Sequence, residues 1–338
     1  MVSSEDFQKA LELIDNSENI LITTHTKPDG DACGSIVALC EVLTSLGKQP
    51  KPVLLSEVPR WYEFLFSEKA VVLGTDIKIE QLKQGVQGDI DLIIIVDTNS
   101  YSQLPALEDF LKANGKPVLI FDHHITSDGL GTVEIVDADA AATGLIIYDL
   151  FKYAGWEITP SIAMSLFVAT ATDTGWFQFS NTDSRVHRAC AELIDLGVKP
   201  TQVYHNLYQN LSCERFKLMT VMLNTLEVHF AGRYADQHLK QEDFERTGAS
   251  YMDTENLIDQ CRKIASVEVA GLFVELEDEK IKCSLRSSGG IDVREIAQSF
   301  GGGGHKMASG LQVPGPIENA KKIILEEIKK RFDHIDSK

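Results

Sequence analysis

Imidazoles and carboxylates recur in four separated stretches of the chain: His25, Asp29 and Asp31; Asp97; Asp122, His123 and His124; and Asp173. Brought to one place, these groups would repel one another unless cations lay between them. The mixed oxygen and nitrogen donor set suits two divalent ions, Mn²⁺ first with Mg²⁺ or Co²⁺ as alternatives, and lacks the thiolates of a structural zinc site. Ions about 3.5 to 4 Å apart clamp the attacking and leaving oxygens of a phosphoryl displacement, so the expected chemistry is hydrolysis of a phosphate ester. A second stretch, GGGGHKMASG from Gly301 to Gly310, runs through Gly302, Gly303 and Gly304 into His305. Glycines followed by a short helical stretch expose consecutive amides that would cradle phosphate, and Arg286 upstream adds a bidentate donor. A flexible turn is the plain alternative for these glycines.

The first three candidate ligands sit in N-ILITTHTKPDGDACGSIVAL, residues 19–39. This reads as a buried strand from Ile20 to Thr24, a polar loop carrying His25, Asp29, Gly30 and Asp31, and a helix with apolar residues at helical spacing. In an extended loop Asp29 and Asp31, two apart, would diverge and face different ions. For the loop alone, the alternative is that Asp31 merely caps the helix and His25 is a turn residue. Strands are expected over residues 51–56, then over DLIIIVD (91–97) and KPVLIFDHH (116–124), whose unbroken apolar runs mark strands buried on both faces and ending in Asp97 and in Asp122 to His124. WYEFLF (61–66) is expected to be a helix covering the core, with a base-stacking platform the alternative. Residues 132–139 make a further strand and 140–154 a helix, with Asp137 and Asp139 as strand-end and helix-cap residues. An apolar helix over 161–171 leads to Asp173, and Gly175 then turns the chain. Arg185 and His187 beyond it could reach a substrate, with helix packing the alternative for His187. Strands alternating with helices predict an α/β fold, a doubly wound and mostly parallel sheet that binds ligands beyond the carboxyl ends of its strands.

Residues 185–226 read as three helices broken near Gly197 to Pro200 and near Ser212. From Glu227 strand-like runs dominate (227–239, 267–278, 280–288), with helices over 254–264, 292–300 and 317–332. The expected organisation is a catalytic domain over residues 1–190, a helical connector over 191–226 and a smaller α+β substrate-binding domain over 227–338. The 338 residues carry a formal net charge of -18, which disfavours a broad track for long nucleic acid but not a small phosphorylated ligand. Six cysteines without a C-x-x-C pair point to reduced core residues. The acidic, amphipathic N-terminus and the lack of a long apolar run predict a cytoplasmic protein without membrane contact.

Taken in order, H-x-x-P-D-x-D-x-x-G-S at His25 to Ser35, the Asp97 strand, D-H-H at Asp122 to His124 and D-T-G at Asp173 to Gly175 resemble the four motifs of the DHH phosphoesterase superfamily. G-G-G-G-H at Gly301 to His305, with Arg286, is similar to the companion C-terminal domain of its RecJ-like branch. The resemblance covers essentially the whole chain. It implies that His25 and Asp29 hold one metal, that Asp31, His123 and Asp173 hold the other, and that Asp97 bridges them. It further implies that His124 faces the scissile phosphate, that Asp122 orients a neighbouring histidine, and that a water shared by the ions is the nucleophile. In similar proteins the glycine element and Arg286 grip the part of the substrate away from the scissile bond, across the cleft between domains. The compact two-domain architecture is similar to enzymes that degrade very short oligoribonucleotides and dephosphorylate 3′-phosphoadenosine 5′-phosphate (pAp). A phosphodiesterase for linear or cyclic dinucleotides, a polyphosphate or pyrophosphate hydrolase, and a non-catalytic nucleotide sensor are the alternatives. The partners implied are short single-stranded RNA or a small nucleotide, with room for a homodimer.

Overall fold

A computed structural model describes residues 2–337 apart from Glu277, and the backbone alone of His305. It divides into two compact units, residues 1–210 and 211–338. In the first, β1 (Asn19–Thr24), β2 (Gln49–Leu54), β3 (Val71–Val72), β4 (Leu92–Val96), β5 (Val118–Asp122) and β6 (Val133–Val136) form one sheet in the order β3-β2-β1-β4-β5-β6. All its pairings are parallel. The alternating side chains of β4 explain its unbroken apolar run: Leu92, Ile94 and Val96 enter one core with the helices Gly30–Ser45, Thr143–Ala154 and Pro160–Asp173. Ile93 and Ile95 enter the other, with Leu82 and Phe110. The chain winds outward in both directions from β1 and β4, so the switch point of this doubly wound sheet lies between them. Residues 60–65 form a 3₁₀ turn rather than an α-helix.

The second unit holds a mixed sheet built from β7 (Glu227–His229), β8 (Tyr234–Leu239), β9 (Val269–Glu275), β10 (Lys280–Ser287), β11 (Gly303–His305) and β12 (Ala308–Pro314). Its order is β11-β12-β10-β9-β8-β7, with β8 and β9 parallel and the other pairs antiparallel. The helix Ile317–Asp336 covers one face through Ile317, Ile324, Ile328 and Phe332. The helix Cys213–Asn224 belongs to this unit and covers the other face through Leu218 and Met222. The expected helix over 254–264 is instead two 3₁₀ turns, Tyr251–Thr254 and Leu257–Lys263. Among the described residues no helix is long and apolar enough to cross a membrane.

Two helices carry much of the site, and glycine lets them approach closely. A Cβ on Gly34 would overlap the Ser165 carbonyl oxygen, and one on Gly30 would overlap the Thr172 side chain. In an exposed helix Gly→Ala stabilises by about 1 kcal/mol through propensity. Forcing atoms into a packed contact costs about 1–3 kcal/mol, so overpacking wins here. Gly34→Ala is therefore expected to destabilise the protein, measured as a lower urea midpoint with an unchanged slope; a higher midpoint would mean that the helices separate at little cost.

Candidate active site

Thr24 and Val96 are paired neighbours on β1 and β4, so the residues that follow them, His25 and Asp97, emerge side by side at the switch point. His25 Nε2 lies 3.3 Å from Asp97 Oδ2. The other ring nitrogen, Nδ1, lies 2.9 Å from the Thr26 carbonyl oxygen, which can only accept, so Nδ1 carries a proton and the ring turns Nε2 toward the carboxylate. Asp97 adopts φ +60°, a left-handed conformation uncommon outside glycine, while its N–H donates to the Phe121 carbonyl at 2.8 Å. That turn sets the carboxylate between two strands, and Thr143 Oγ1 donates to its Oδ1 at 3.2 Å.

Asp29 and Asp31 are separated by the start of a helix rather than by an extended loop. Asp29 is the cap: its Oδ1 accepts from the amides of Asp31 and Ala32, each at 3.0 Å. Asp31 is already helical and buried, and it caps a different helix. Its two oxygens accept from Thr143 N at 2.6 Å and Gly144 N at 2.8 Å, the first amides of Thr143–Ala154, and Ser35 Oγ donates at 3.2 Å. That helix has Ala142 at its cap position, which offers no side-chain acceptor. Asp139, expected as its cap, is exposed and three residues too early, and Asp137 pairs with Arg185 at 2.8 Å. Thr143 and Gly144 are thus site residues that sequence reasoning passed over; the run AAATG, a helix start with no capping side chain before it, is the signal that could have found them.

His123 repeats the arrangement of His25. Its Nδ1 donates to the Ala140 carbonyl at 3.2 Å, which turns Nε2 toward Asp173 Oδ2 at 3.4 Å, Asp97 Oδ1 at 3.5 Å and Asp31 Oδ2 at 3.9 Å. Three overlapping donor groups result, His25, Asp29 and Asp97; Asp31, His123 and Asp173; and Asp97, His123 and His124, the ligand atoms within each lying within 4.8 Å of one another. Asp97 turns one oxygen to each histidine. His124 is half-exposed; Asp122 Oδ1 accepts from both its Nδ1, at 2.7 Å, and its amide, at 3.1 Å.

Burial first, and then the neighbouring carboxylates, push Asp31 and Asp97 well above the usual carboxylate range, and Asp173 is pushed up to about 7. Burial, with the His124 charge next, lowers His123, whereas the hydrogen bond to Asp122 raises His124. Lone pairs facing buried carboxylates are unfavourable unless a proton or a cation lies between them. The donor set therefore fits divalent cations, with oxygen and imidazole ligands and no thiolate.

In the second unit Arg286 on β10 pairs with Ala308 on β12, which pairs in turn with His305 on β11, so the three backbones share one row. The His305 side chain lies outside the described residues. Gly303 and Gly304 form β11 of a hairpin, opposite Gly310 and Ser309, where a short helical stretch was expected. Gly302 and Gly304 are required by close packing: a Cβ on Gly302 would overlap the Gly310 carbonyl oxygen, and Gly304 has φ +137°. Arg185 is held by Asp137 and Asp149, at 2.8 and 2.6 Å, and His187 stacks on Phe177. A fourth donor group, Glu227, His229 and Asp236, already has the Lys321 ammonium 2.6 Å from both carboxylates.

This combination defines a class. Residues 19–172 match the DHH family, N-terminal domain, and residues 242–333 match the DHHA1 domain. The chain belongs to the DHH family of phosphoester hydrolases. It is 32% identical over 316 residues to the bifunctional oligoribonuclease and PAP phosphatase NrnA of Thermus thermophilus, covering 93% of this chain and 90% of that protein. It is 25% identical to the Bacillus subtilis protein of the same name, covering 88% of this chain and 90% of that one. The crystal structure of an exopolyphosphatase-related protein from Bacteroides fragilis shares the fold, with a TM-score of 0.91 at 22% identity over 100% of this chain and 99% of that one.

The raised carboxyls carry a sign. Where the folded state keeps a proton that the unfolded chain has released, stability falls with rising pH, for Asp173 between 3.8 and about 7. Chelator-treated protein is expected to lose stability across that window. Mn²⁺, replacing the protons, should raise the melting temperature more at pH 8 than at pH 5. Equal or absent increments in thermal melts would remove these groups as a cation site.

Proposed function

We propose that this protein hydrolyses very short oligoribonucleotides and pAp with two divalent cations at the β1–β4 switch point, most readily Mn²⁺, with Mg²⁺ or Co²⁺ as alternatives. The observation that carries the reading is Asp97, whose two oxygens face His25 Nε2 at 3.3 Å and His123 Nε2 at 3.5 Å, as a bridging ligand would. His25 and Asp29 would complete one site, and Asp31, His123 and Asp173 the other. The cations, when bound, would neutralise the phosphate and acidify the attacking water.

The chain's own groups do the remaining work. Asp31, held by the Thr143 and Gly144 amides, and His25 and His123, locked by the Thr26 and Ala140 carbonyls, present fixed donors that need no reorganisation. Asp122 holds the Nδ1 proton of His124 and favours its charged form, so the exposed Nε2–H is free to donate to a phosphate oxygen or to the leaving oxygen. Arg286 and the backbone of Gly302, Gly303 and Gly304, with His305, would hold the part of the substrate remote from the scissile bond. The net charge of -18 suits a substrate a few nucleotides long, recognised in a pocket rather than along a basic track. The two relatives named as oligoribonuclease and PAP phosphatase support the substrate class.

Product release with Mn²⁺ from a panel of pAp, diribonucleotide, five-residue RNA, linear and cyclic dinucleotides, pyrophosphate and polyphosphate tests the reading. Short RNA and pAp should be preferred; activity confined to the other compounds would overturn the substrate class. Asp97→Ala should lower kcat by about 10²–10³-fold, the scale seen when a transition-state-stabilising group is removed, with the circular dichroism spectrum retained. Arg286→Ala should raise KM about tenfold with a smaller change in kcat, and an unchanged KM for every substrate would take Arg286 out of the pocket.

A further inference from the structure

Directly after Asp173 the chain makes an unusual turn. Gly175, Trp176 and Phe177 have φ values of +55°, +58° and +66°, three successive left-handed residues, two of them aromatic. The Trp176 amide folds back onto the Ala171 carbonyl at 2.6 Å, so its indole stays at the end of the helix that carries Asp173. There it meets two tyrosines from the helix Pro200–Tyr208. Its ring centroid lies 5.1 Å from that of Tyr204 and 5.8 Å from that of Tyr208, both edge-on, and the tyrosine rings lie 5.0 Å apart. The aromatic group also reaches the other side of the site. The helix Pro200–Tyr208 packs on the 3₁₀ turn Arg60–Leu65, which packs on the helix capped by Asp29. Tyr62 in that turn lies in the electrostatic field of both Asp29 and Tyr208, which, after burial, help to raise its phenol.

Core aromatics are normally covered, yet Tyr204 and Tyr208 remain 38% and 42% exposed. Partly exposed rings, on a helix linked through neighbouring elements to those that carry Asp29 and Asp173, offer what a planar aromatic ligand needs. Arginine and lysine, which would mark a second phosphate subsite, are absent from the helix Pro200–Tyr208. We propose that Tyr204 and Tyr208, braced by Trp176, form a stacking platform for a nucleobase of the substrate, so that the first unit itself distinguishes nucleotides from phosphates without a base. This rests on the nucleotide reading of the site above.

The test uses the full-length protein with Mn²⁺ and two monoesters that differ by the base alone, AMP and ribose 5-phosphate, titrated calorimetrically. Base stacking on an aromatic ring predicts that AMP binds at least about tenfold more tightly. The double variant Tyr204→Leu with Tyr208→Leu should bring that ratio near one while leaving ribose 5-phosphate binding in place. Tyr204→Phe with Tyr208→Phe, which keeps the rings, should preserve the ratio and controls for folding. A ratio of one in the wild type, or one unchanged in the leucine variant, overturns the platform. If AMP is preferred through these rings but neither pAp nor short RNA is hydrolysed, the platform stands and the proposed reaction falls. If both are hydrolysed without any preference for the base, the reaction stands and the platform falls.

Discussion

Buried like charge is the constraint on which the rest of this structure depends. Asp31 and Asp97 are both almost fully removed from water, with Asp29 and Asp173 close enough to raise them further. Such a group is costly unless something compensates it. Part of the compensation comes from backbone: the free amides at the start of Thr143–Ala154 are directed to Asp31, a residue more than a hundred positions earlier. The helix in turn has no other side-chain cap, since Ala142 occupies that place. Capping and site assembly are therefore one interaction, and the positive end of the helix faces the densest negative charge of the site. What the amides leave uncompensated faces the Nε2 atoms of His25 and His123 across 3.3 and 3.5 Å, a mixed oxygen and nitrogen pattern that favours a cation.

Sheet topology accounts for the convergence. Parallel strands all end at the same edge, and where winding reverses between β1 and β4 no crossover helix fills the space above their ends. His25 and Asp97 come out there because Thr24 and Val96 are in register, and Asp122 follows because Val96 and Phe121 are. A shift of one residue in either pairing would send the ligand to the opposite face. The glycines of the helix pair serve the same end from above: Gly30 and Gly34 bring Asp31 down to the level of Asp173.

The second unit shows a different use of glycine. Gly302, Gly303 and Gly304 were expected to run into a short helix that presents amides, but they build and flank the edge strand of a hairpin. The hairpin brings His305 into the row of Arg286, an alignment set by the pairing with Ala308 rather than by proximity along the chain. The expected helix over 254–264 is broken by a local backbone feature. Asn256, at φ +57°, separates the two turns, and Leu257, Ile258 and Cys261 are buried from the second of them.

The sequence by itself determined five of the six described strands of the first sheet, all but the two-residue edge strand β3, because runs such as LIIIV are tolerable only between two covered faces, and it determined the donors at their ends, because a carboxylate or imidazole closing such a run has no packing role there. It also carried the order of motifs by which the DHH family is recognised. The tertiary structure alone decided which donor faces which. Asp29 and Asp31 part company through helix geometry, Asp31 is fixed by amides from residues 143 and 144, and Asp97 is aimed by a left-handed turn. None of these is periodic: the cap at Asp29 and the turn at Asp97 are local backbone geometry, whereas the amides on Asp31 are distant groups that find a partner after burial has removed water as the alternative. The aromatic group of Trp176, Tyr204 and Tyr208 was invisible for the same reason: the tryptophan and the two tyrosines lie far apart along the chain and meet only where two helix ends pack together.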